Sequence, residues 1–574
     1  MFLTRPPVRE EPGVVLEERM TFFRSVLTVS VFCLIAFGAL AQPAPRPASD
    51  APMPVIINMA ADGVVNFITG HFRKEGTNRA VAEAAIDKEV DQYVGTGVSH
   101  LFWNVNYQRV GYDSKAWPSY WDVPDPETQV TEWPRGYYLL HKLGINDVFA
   151  RLIPRSRAKG ISPWISLRMN DHHYFNDFSR VSPLLFNHPE LRVNRTGLFN
   201  YTHPEVRDHY MKLIVEVLTR YDIDGLELDW MRTPNNFPEQ ELDAGRELLT
   251  AFVREARRHA QAATQRRGHP VHLAVRVPAT PEFAVAEGLD AVRWAREGLV
   301  DMIVVSDFWG GCGDFPIERW RAQIGPDGAA CKLIACTQCT YLCVPKGFQF
   351  VNNIAAQRGF TASMADRGAE GIYLFNHFHA VTGIQRLRTP EGKSFEEGTL
   401  ADLFRAAADR KSAPAGRRIH PLAIHDGLPE KTDYRPALPA PLAANNPSAS
   451  FRLHIGPRPA ATAACRLFIG LYATNGVEAA QFDARVNGTA CQPLPDLPRP
   501  TKDEFLKPKP DNWMTPPRRN LSELAGRVLV FDVPTASLTR GYNAIGLALT
   551  GGLPQSVTWL ELVIDPEAGK PVAP

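Results

Sequence analysis

The stretch YDIDGLELDWMRTP, residues 221–234, places Asp224, Glu227 and Asp229 on what its apolar alternation predicts to be one short strand. Alternate strand residues share a face, so Gly225, Glu227 and Asp229 point one way and Leu226 and Leu228 the other. Two carboxylates on one inward face are costly unless paired or hydrogen-bonded, which marks a polar site rather than packing. Such pairs perform acid–base chemistry. To break a glycosidic bond, one carboxyl protonates the leaving oxygen while another attacks or activates water. Asp229, at the strand's C-terminal end, is the expected nucleophile or base. Asp307, in VVSDFWGG at the end of a later strand, is the expected general acid. Glu227 lies a layer deeper and is expected to organise the other two. The structural alternative is an ion pair with Arg168 or Arg276 on neighbouring strands.

Further polar and aromatic groups fall at other strand ends. Trp103, Asn104 and Asn106 belong to SHLFWNVN, and Arg168, Asn170, Asp171, His172 and His173 close SPWISLRMNDHH. Arg276, Trp309, Asn376 and His377 complete the expected substrate-binding set. Hydroxyl-rich ligands need this mixture of hydrogen-bonding groups and aromatic faces. No metal or cofactor is expected, since no helical E-x-x-H pair is present. A metal-dependent hydrolase built on His172, His173, His377 and His379 is the alternative. There is no Gly-rich phosphate cradle and no G-x-S-x-G elbow.

Positioning these residues calls for a particular scaffold. Apolar runs at 55–58, 99–106, 162–170, 224–230, 271–277, 301–307, 332–336 and 371–377 alternate with helical segments. Eight such strands predict a (β/α)8 barrel over residues 55–410, whose function gathers at the C-terminal strand ends. Thr202-His203-Pro204-Glu205 predicts a capping box with proline in the first turn. Val206, Tyr210, Leu213, Ile214, Val217 and Leu218 then form a core-facing stripe. After a linker at 411–446, short strands separated by Gly, Pro and Asn predict an all-β sandwich over 447–566.

The ends and totals bound the rest. Met20 to Arg24, the apolar run SVLTVSVFCLIAFGAL and Ala39-Leu40-Ala41 predict a signal peptide within residues 1–41, cleaved after Ala41, with a linker at 42–54. The run is too short for a membrane span, so an exported protein without an integral span is expected. With 63 basic against 62 acidic residues, the chain lacks the charge of a nucleic-acid binder. Its partner is expected to be a carbohydrate. Export permits disulfides, and Cys465 is expected to pair with Cys491. CTQCTYLC has the C-x2-C spacing of a zinc site but no second such pair nearby, so disulfides and a free thiol are the expected state there.

On these residues a family likeness emerges. YDIDGLELDWMRTP resembles the fourth strand of glycoside hydrolase family 18 chitinases, with signature D-G-x-D-x-D-x-E; Met231 stands where their catalytic glutamate falls. A fuller resemblance, over residues 55–380, is to glycosyl-hydrolase-like family 10 proteins. It is carried by HPEVRDHYMKLIVEVLTRYDIDGLELD and by GAEGIYLFNHF. It implies a secreted carbohydrate-active barrel. Acids at the ends of strands four and six are also similar to retaining α-galactosidase and α-glucosidase barrels, which implies Asp229 as nucleophile and Asp307 as acid/base. A non-catalytic glycan-binding protein on a decayed barrel is the alternative that Met231 brings forward.

Overall fold

Parallel strands buried on both faces require continuous apolar runs, and that is where the barrel strands form. They are β1 (Val55–Met59), β2 (Val98–Asn104), β3 (Ser162–Arg168), β4 (Gly225–Asp229), β5 (His272–Pro278), β6 (Met302–Ser306) and β7 (Lys332–Gln338). A hairpin, β8 (Thr340–Cys343) with β9 (Phe348–Val351), precedes the last barrel strand, β10 (Gly371–Phe375). The sheet closes in the order β1-β10-β7-β6-β5-β4-β3-β2 with every pair parallel. This computed structural model describes residues 51–173, 177, 179–194, 196–307, 313–343, 348–377, 399–422, 437–472, 474–496 and 526–566. The expected signal peptide, together with Trp309, Cys312 and His379, lies outside the described residues.

The expected eight-stranded α/β barrel is therefore present, with local differences. Two helices, Ala61–Glu75 and Arg79–Asp91, join β1 to β2 where the sequence reading expects one. The helix Pro204–Arg220 buries the expected stripe of Val206, Tyr210, Leu213, Ile214, Val217 and Leu218. The predicted capping box does not form. His203 is the N-cap residue with no side-chain cap bond, and the Thr202 hydroxyl donates to Asn200 Oδ1 at 2.9 Å instead.

The interior of the barrel divides into two zones. An apolar zone contains Ile56, Phe102, Trp164, Ala274, Met302, Val304, Ile334 and Tyr373. Trp164 stacks on Phe102 at 4.6 Å and its ring covers Gly225, where a Cβ would stand 2.4 Å from ring carbons. Glycine is required there by volume. Above this zone, toward the C-terminal strand ends, the inward side chains turn polar.

Beyond the barrel, two β-sheets form. One holds β11 (Arg418–Leu422), β12 (Ala440–Leu442), β14 (Ala464–Leu471), β17 (Gln492–Leu494), β18 (Arg527–Asp532) and β20 (Gln555–Asp565). The other holds β13 (Ser448–His454), β15 (Gln481–Val486), β16 (Thr489–Ala490) and β19 (Tyr542–Gly551). Both contribute to one apolar core, with Phe451, Ala484 and Ile545 meeting Leu467, Leu529 and Leu562. Strand β11 lies within the segment expected as a linker and pairs with β20. The expected Cys465–Cys491 disulfide is absent: both are free thiols, and Cys465 Sγ accepts from the Thr535 hydroxyl at 3.6 Å. Cys331 and Cys336 are free thiols as well. The helix Ile354–Asp366 abuts β11 closely enough that a Cβ on Gly359 would fall 1.9 Å from the Ile419 carbonyl oxygen. None of the described helices is long and apolar enough to cross a membrane.

Candidate active site at the C-terminal end of the barrel

Strand register brings the polar inward residues together. Asp229 on β4 stands level with Arg168 on β3 and Arg276 on β5, and one step below, Glu227 stands level with Ser166 and Ala274. Arg276 Nη1 donates to both oxygens of Asp229 at 3.0 Å, while its Nε and Nη2 reach Ser306 Oγ at 3.2 and 3.0 Å. Its guanidinium also lies over the Phe375 ring, 3.9 Å from the centroid. Asp229 Oδ1 further accepts from the Met231 amide at 2.9 Å. So the ion pair considered for this strand is made by Asp229 with Arg276.

Glu227 has a different environment. It is wholly buried, and Oε2 accepts from the Tyr373 hydroxyl at 2.9 Å while Oε1 has no hydrogen-bond partner. Tyr373 OH in turn accepts from Asn58 Nδ2 at 2.7 Å, and the same nitrogen reaches Ser166 Oγ at 3.2 Å. Burial first, and the negative charge of Asp229 second, push Glu227 well above the ordinary carboxylate range. Burial likewise raises Tyr373, which keeps its proton and donates it.

Arg168 and Asp171 make a second buried pair, Nη1 to Oδ2 at 2.7 Å, with Arg168 stacked 3.6 Å from the centroid of Tyr107. Asp171 also accepts from the backbone N–H of His173 at 2.8 Å and from its Nδ1. Burial alone would raise Asp171, but the charges of His173 and Arg168 outweigh it and hold the acid well below its usual value. Tyr107 OH donates to Asp62 at 2.6 Å. His172 Nδ1 shares a hydrogen with Thr233 Oγ1 at 2.7 Å, and burial lowers its pKa.

Other expected site residues clip loops in place. Asn106 bonds the Arg168 peptide on both sides, at 3.1 Å each. Asn170 holds the Phe199 peptide in the same manner, at 3.0 Å each way. Asn104 donates to the Ser166 carbonyl at 3.1 Å. Trp103 points out of the barrel and is wholly buried in the layer between strands and helices, so it presents no face to a ligand. Its neighbours Phe102 and Asn104 point inward, as alternation requires.

Asp307 directly follows β6 and is buried, and its carbonyl accepts from the Ser306 hydroxyl at 2.7 Å. Asn376 takes a left-handed conformation, φ 60°, immediately after β10. The turn leaves His377 fully buried, its Nδ1 bonded to the Phe375 carbonyl at 2.9 Å and its Nε2 accepting from Asn352 Nδ2 at 3.3 Å. Burial pulls His377 down to about 4, so the ring is neutral. Among the described residues no group of three or more His, Cys, Asp and Glu is placed to hold a metal ion.

The sequence reading missed Tyr373, Asn58, Ser166, Tyr107 and Arg232. The first three follow the same inward alternation as Glu227, a usable signal, but their residue types carry no chemistry by themselves.

No family model matches the chain, and no curated protein matches it. Among solved structures, the chain is similar to the catalytic domain of psychrophilic chitinase B from Arthrobacter TAD20. Identity there is 12% with a TM-score of 0.35, over 63% of this chain and 97% of that one. It is similar also to the PgaB (BpsB) glycoside hydrolase domain from Bordetella bronchiseptica, at 11% identity and TM-score 0.35, over 57% and 93% of the two chains. Chitinase RmChi1 from Rhizomucor miehei gives 14% identity and TM-score 0.30, over 55% and 94%. Likeness at this level assigns no residue a role here.

Proposed function

We propose that the chain is an exported glycoside hydrolase that cleaves O-glycosidic bonds of oligo- or polysaccharides at the C-terminal end of its barrel. One observation carries the reading. Glu227 and Asp229, two residues apart on one inward face, have opposite environments: burial and the nearby negative charge raise Glu227, whereas Asp229 is paired through both oxygens with the Arg276 guanidinium. Two buried carboxyls at the C-terminal end of a barrel, one ion-paired and the other not, mark a site for chemistry rather than packing, with Glu227 supporting Asp229. In the proposed reaction Asp307 gives its proton to the glycosidic oxygen as the bond to the anomeric carbon breaks. Asp229 attacks that carbon, and water, deprotonated by Asp307, then releases the sugar with retained configuration. Arg276 orients the Asp229 carboxylate through hydrogen bonds to both its oxygens, and Glu227 and Arg168 fix the pair. The N-terminal segment directs export, with cleavage after Ala41, and the C-terminal sheets form an accessory sandwich.

Reducing-sugar release from a panel of polysaccharides and aryl glycosides tests this, using wild type, Asp229→Asn and Asp307→Asn, each with near-UV dichroism matching wild type. Turnover confined to wild type supports the reading. Full turnover by a folded Asp229→Asn variant removes Asp229 from the mechanism.

A specific observation favours a second reading, a glycan-binding barrel without turnover. Met231 is buried where the chitinase pattern has its acid, and both oxygens of Asp229 are engaged by Arg276. Sugars that raise the melting temperature of wild type while none is cleaved would establish it.

A further inference from the structure

Three guanidiniums reach the mouth of the barrel from neighbouring strands: Arg168 ends β3, Arg276 lies near the end of β5, and Arg232 falls one turn after β4. Two of them have a carboxylate at hydrogen-bond distance, Arg168 with Asp171 at 2.7 Å and Arg276 with Asp229 at 3.0 Å. Arg232 has none. It is only 4% exposed, and its Nε and Nη1 are buried without a hydrogen-bond partner. The nearest carboxylate oxygen, Asp171 Oδ2, is 3.9 Å from Nε, beyond hydrogen-bond range, and is already taken by Arg168. Its guanidinium carbon lies 5.2 Å from the centroid of Phe375, the ring that Arg276 also covers.

A buried guanidinium with unmet donors is unfavourable, and the positive charge of Arg168 nearby adds to the cost. Burial and that charge both press on Arg232 to lose its proton, with Asp171 opposing. An oxyanion brought by a ligand relieves both defects at once, since it supplies acceptors and the missing negative charge. Access exists next door: His172 and Thr233, hydrogen-bonded to each other at 2.7 Å, are both half-buried. We propose that Arg232 is a substrate-recognition residue that receives an oxyanion substituent, a carboxylate or sulfate, so that the barrel takes acidic rather than neutral saccharides. The proposal rests on the carbohydrate reading of this same site and names its substrate class.

Titration calorimetry on the full chain tests it with a galacturonate pentamer, a sulfated galactose oligomer and neutral cellopentaose, for wild type, Arg232→Gln and Arg232→Lys. The expected result is at least one acidic oligomer binding about tenfold or more tighter than the neutral one. Arg232→Gln should abolish that preference and Arg232→Lys should keep part of it; which acidic oligomer is preferred separates carboxylate from sulfate. Because Arg232 makes no hydrogen bond through Nε or Nη1, Arg232→Gln should fold with a melting temperature equal to or above that of wild type. If it does not fold, the comparison of wild type with Arg232→Lys carries the test alone. Equal binding of acidic and neutral oligomers, a preference that survives in Arg232→Gln, or no binding of any acidic oligomer at millimolar concentration overturns the assignment. Acidic preference without turnover on any glycan leaves it standing while the hydrolase reading fails. Hydrolysis of neutral glycans without acidic preference does the reverse.

Discussion

The two ends of the barrel use the same residue types in opposite ways. At the N-terminal floor, Arg157 meets Asp224 at 2.7 Å, His269 meets Asp222 at 2.7 Å and Arg257 meets Asp301 at 2.5 Å. These groups keep between 21% and 49% of their side-chain surface in water. Arg157, Asp224, His269 and Asp301 border a recess of about 390 Å³ that includes His100, Trp164, His272 and Lys332. At the C-terminal mouth, Arg168, Asp171, Glu227, Asp229, Arg232 and Arg276 are each at most 4% exposed, and one guanidinium and one carboxyl oxygen go unsatisfied. Charge at the floor is matched and hydrated. At the mouth it is buried and only partly matched, a costly arrangement that packing alone does not call for. Under the proposed function, the difference assigns ligand contact to the mouth and leaves the floor structural.

The sharpest way to break this comparison is to cut one ion pair at each end. Asp229→Ala leaves Arg276 buried without a counter-charge and should cost about 3–5 kcal/mol in urea unfolding near neutral pH. Asp224→Ala, at the half-exposed floor, should cost about 1 kcal/mol or less. Equal losses at the two ends would remove the distinction.

Next in size is the pH dependence centred on Glu227. Its native pKa lies above that of the unfolded chain, about 4.3, because of burial and the charge of Asp229. Native protein therefore holds this proton more tightly, so the contribution of Glu227 to stability is full below the unfolded value and is lost as pH rises through the native one. Glu227→Gln removes the ionisation. Relative to wild type it should be matched at about pH 4 and more stable by about 1–3 kcal/mol at about pH 9, read by denaturant unfolding. A constant difference across that range would show that Glu227 is not the group that titrates.

The floor is sensitive to volume rather than charge. Gly225→Ala puts a methyl group 2.4 Å from the Trp164 ring, which is itself stacked on Phe102, and should cost about 1–3 kcal/mol. Trp164→Phe in the same chain should recover part of the loss, since it withdraws the ring atoms that clash. A freely tolerated alanine at 225 would mean that the apolar zone is loosely packed.

How much of this the sequence discloses depends on how local each cause is. The barrel strands are legible because a strand buried on both faces is itself an apolar run, and VIIN or GIYLF needs no partner to be recognised. Asp229 and Arg168 are legible because they are charged residues at the ends of such runs. The Glu227–Tyr373–Asn58 chain is not, because closure of the barrel joins residues 146 and 315 positions apart, and two of the three are ordinary neutral side chains. Trp103 shows the opposite failure: its aromatic character suggests a sugar platform, although the alternation that turns Asn104 inward turns its neighbour outward. The Cys465–Cys491 pairing fails because two cysteines near in sequence need not present their Cβ atoms to each other. Arg232 escapes notice in sequence, as its isolation is defined only by what Asp171 and Asp229 already hold.

The smallest effect probes whether the floor is as inert as its hydration implies. Asp222 bonds His269 Nε2 at 2.7 Å, and that hydrogen bond is the chief cause that raises the histidine's pKa. A raised histidine stabilises the native state fully below its unfolded value, about 6.5, and loses that contribution as pH climbs through the native value. Both groups are substantially exposed, 30% and 49% of side-chain surface, so water screens the pair. Asp222→Asn should therefore lower stability by no more than about 0.5 kcal/mol at about pH 5.5 and by nothing measurable at about pH 8.5, with binding and turnover of any saccharide unchanged. A loss above about 2 kcal/mol, or any change in saccharide binding, would place a buried and functional charge at the floor. The two ends would then differ in degree rather than in kind.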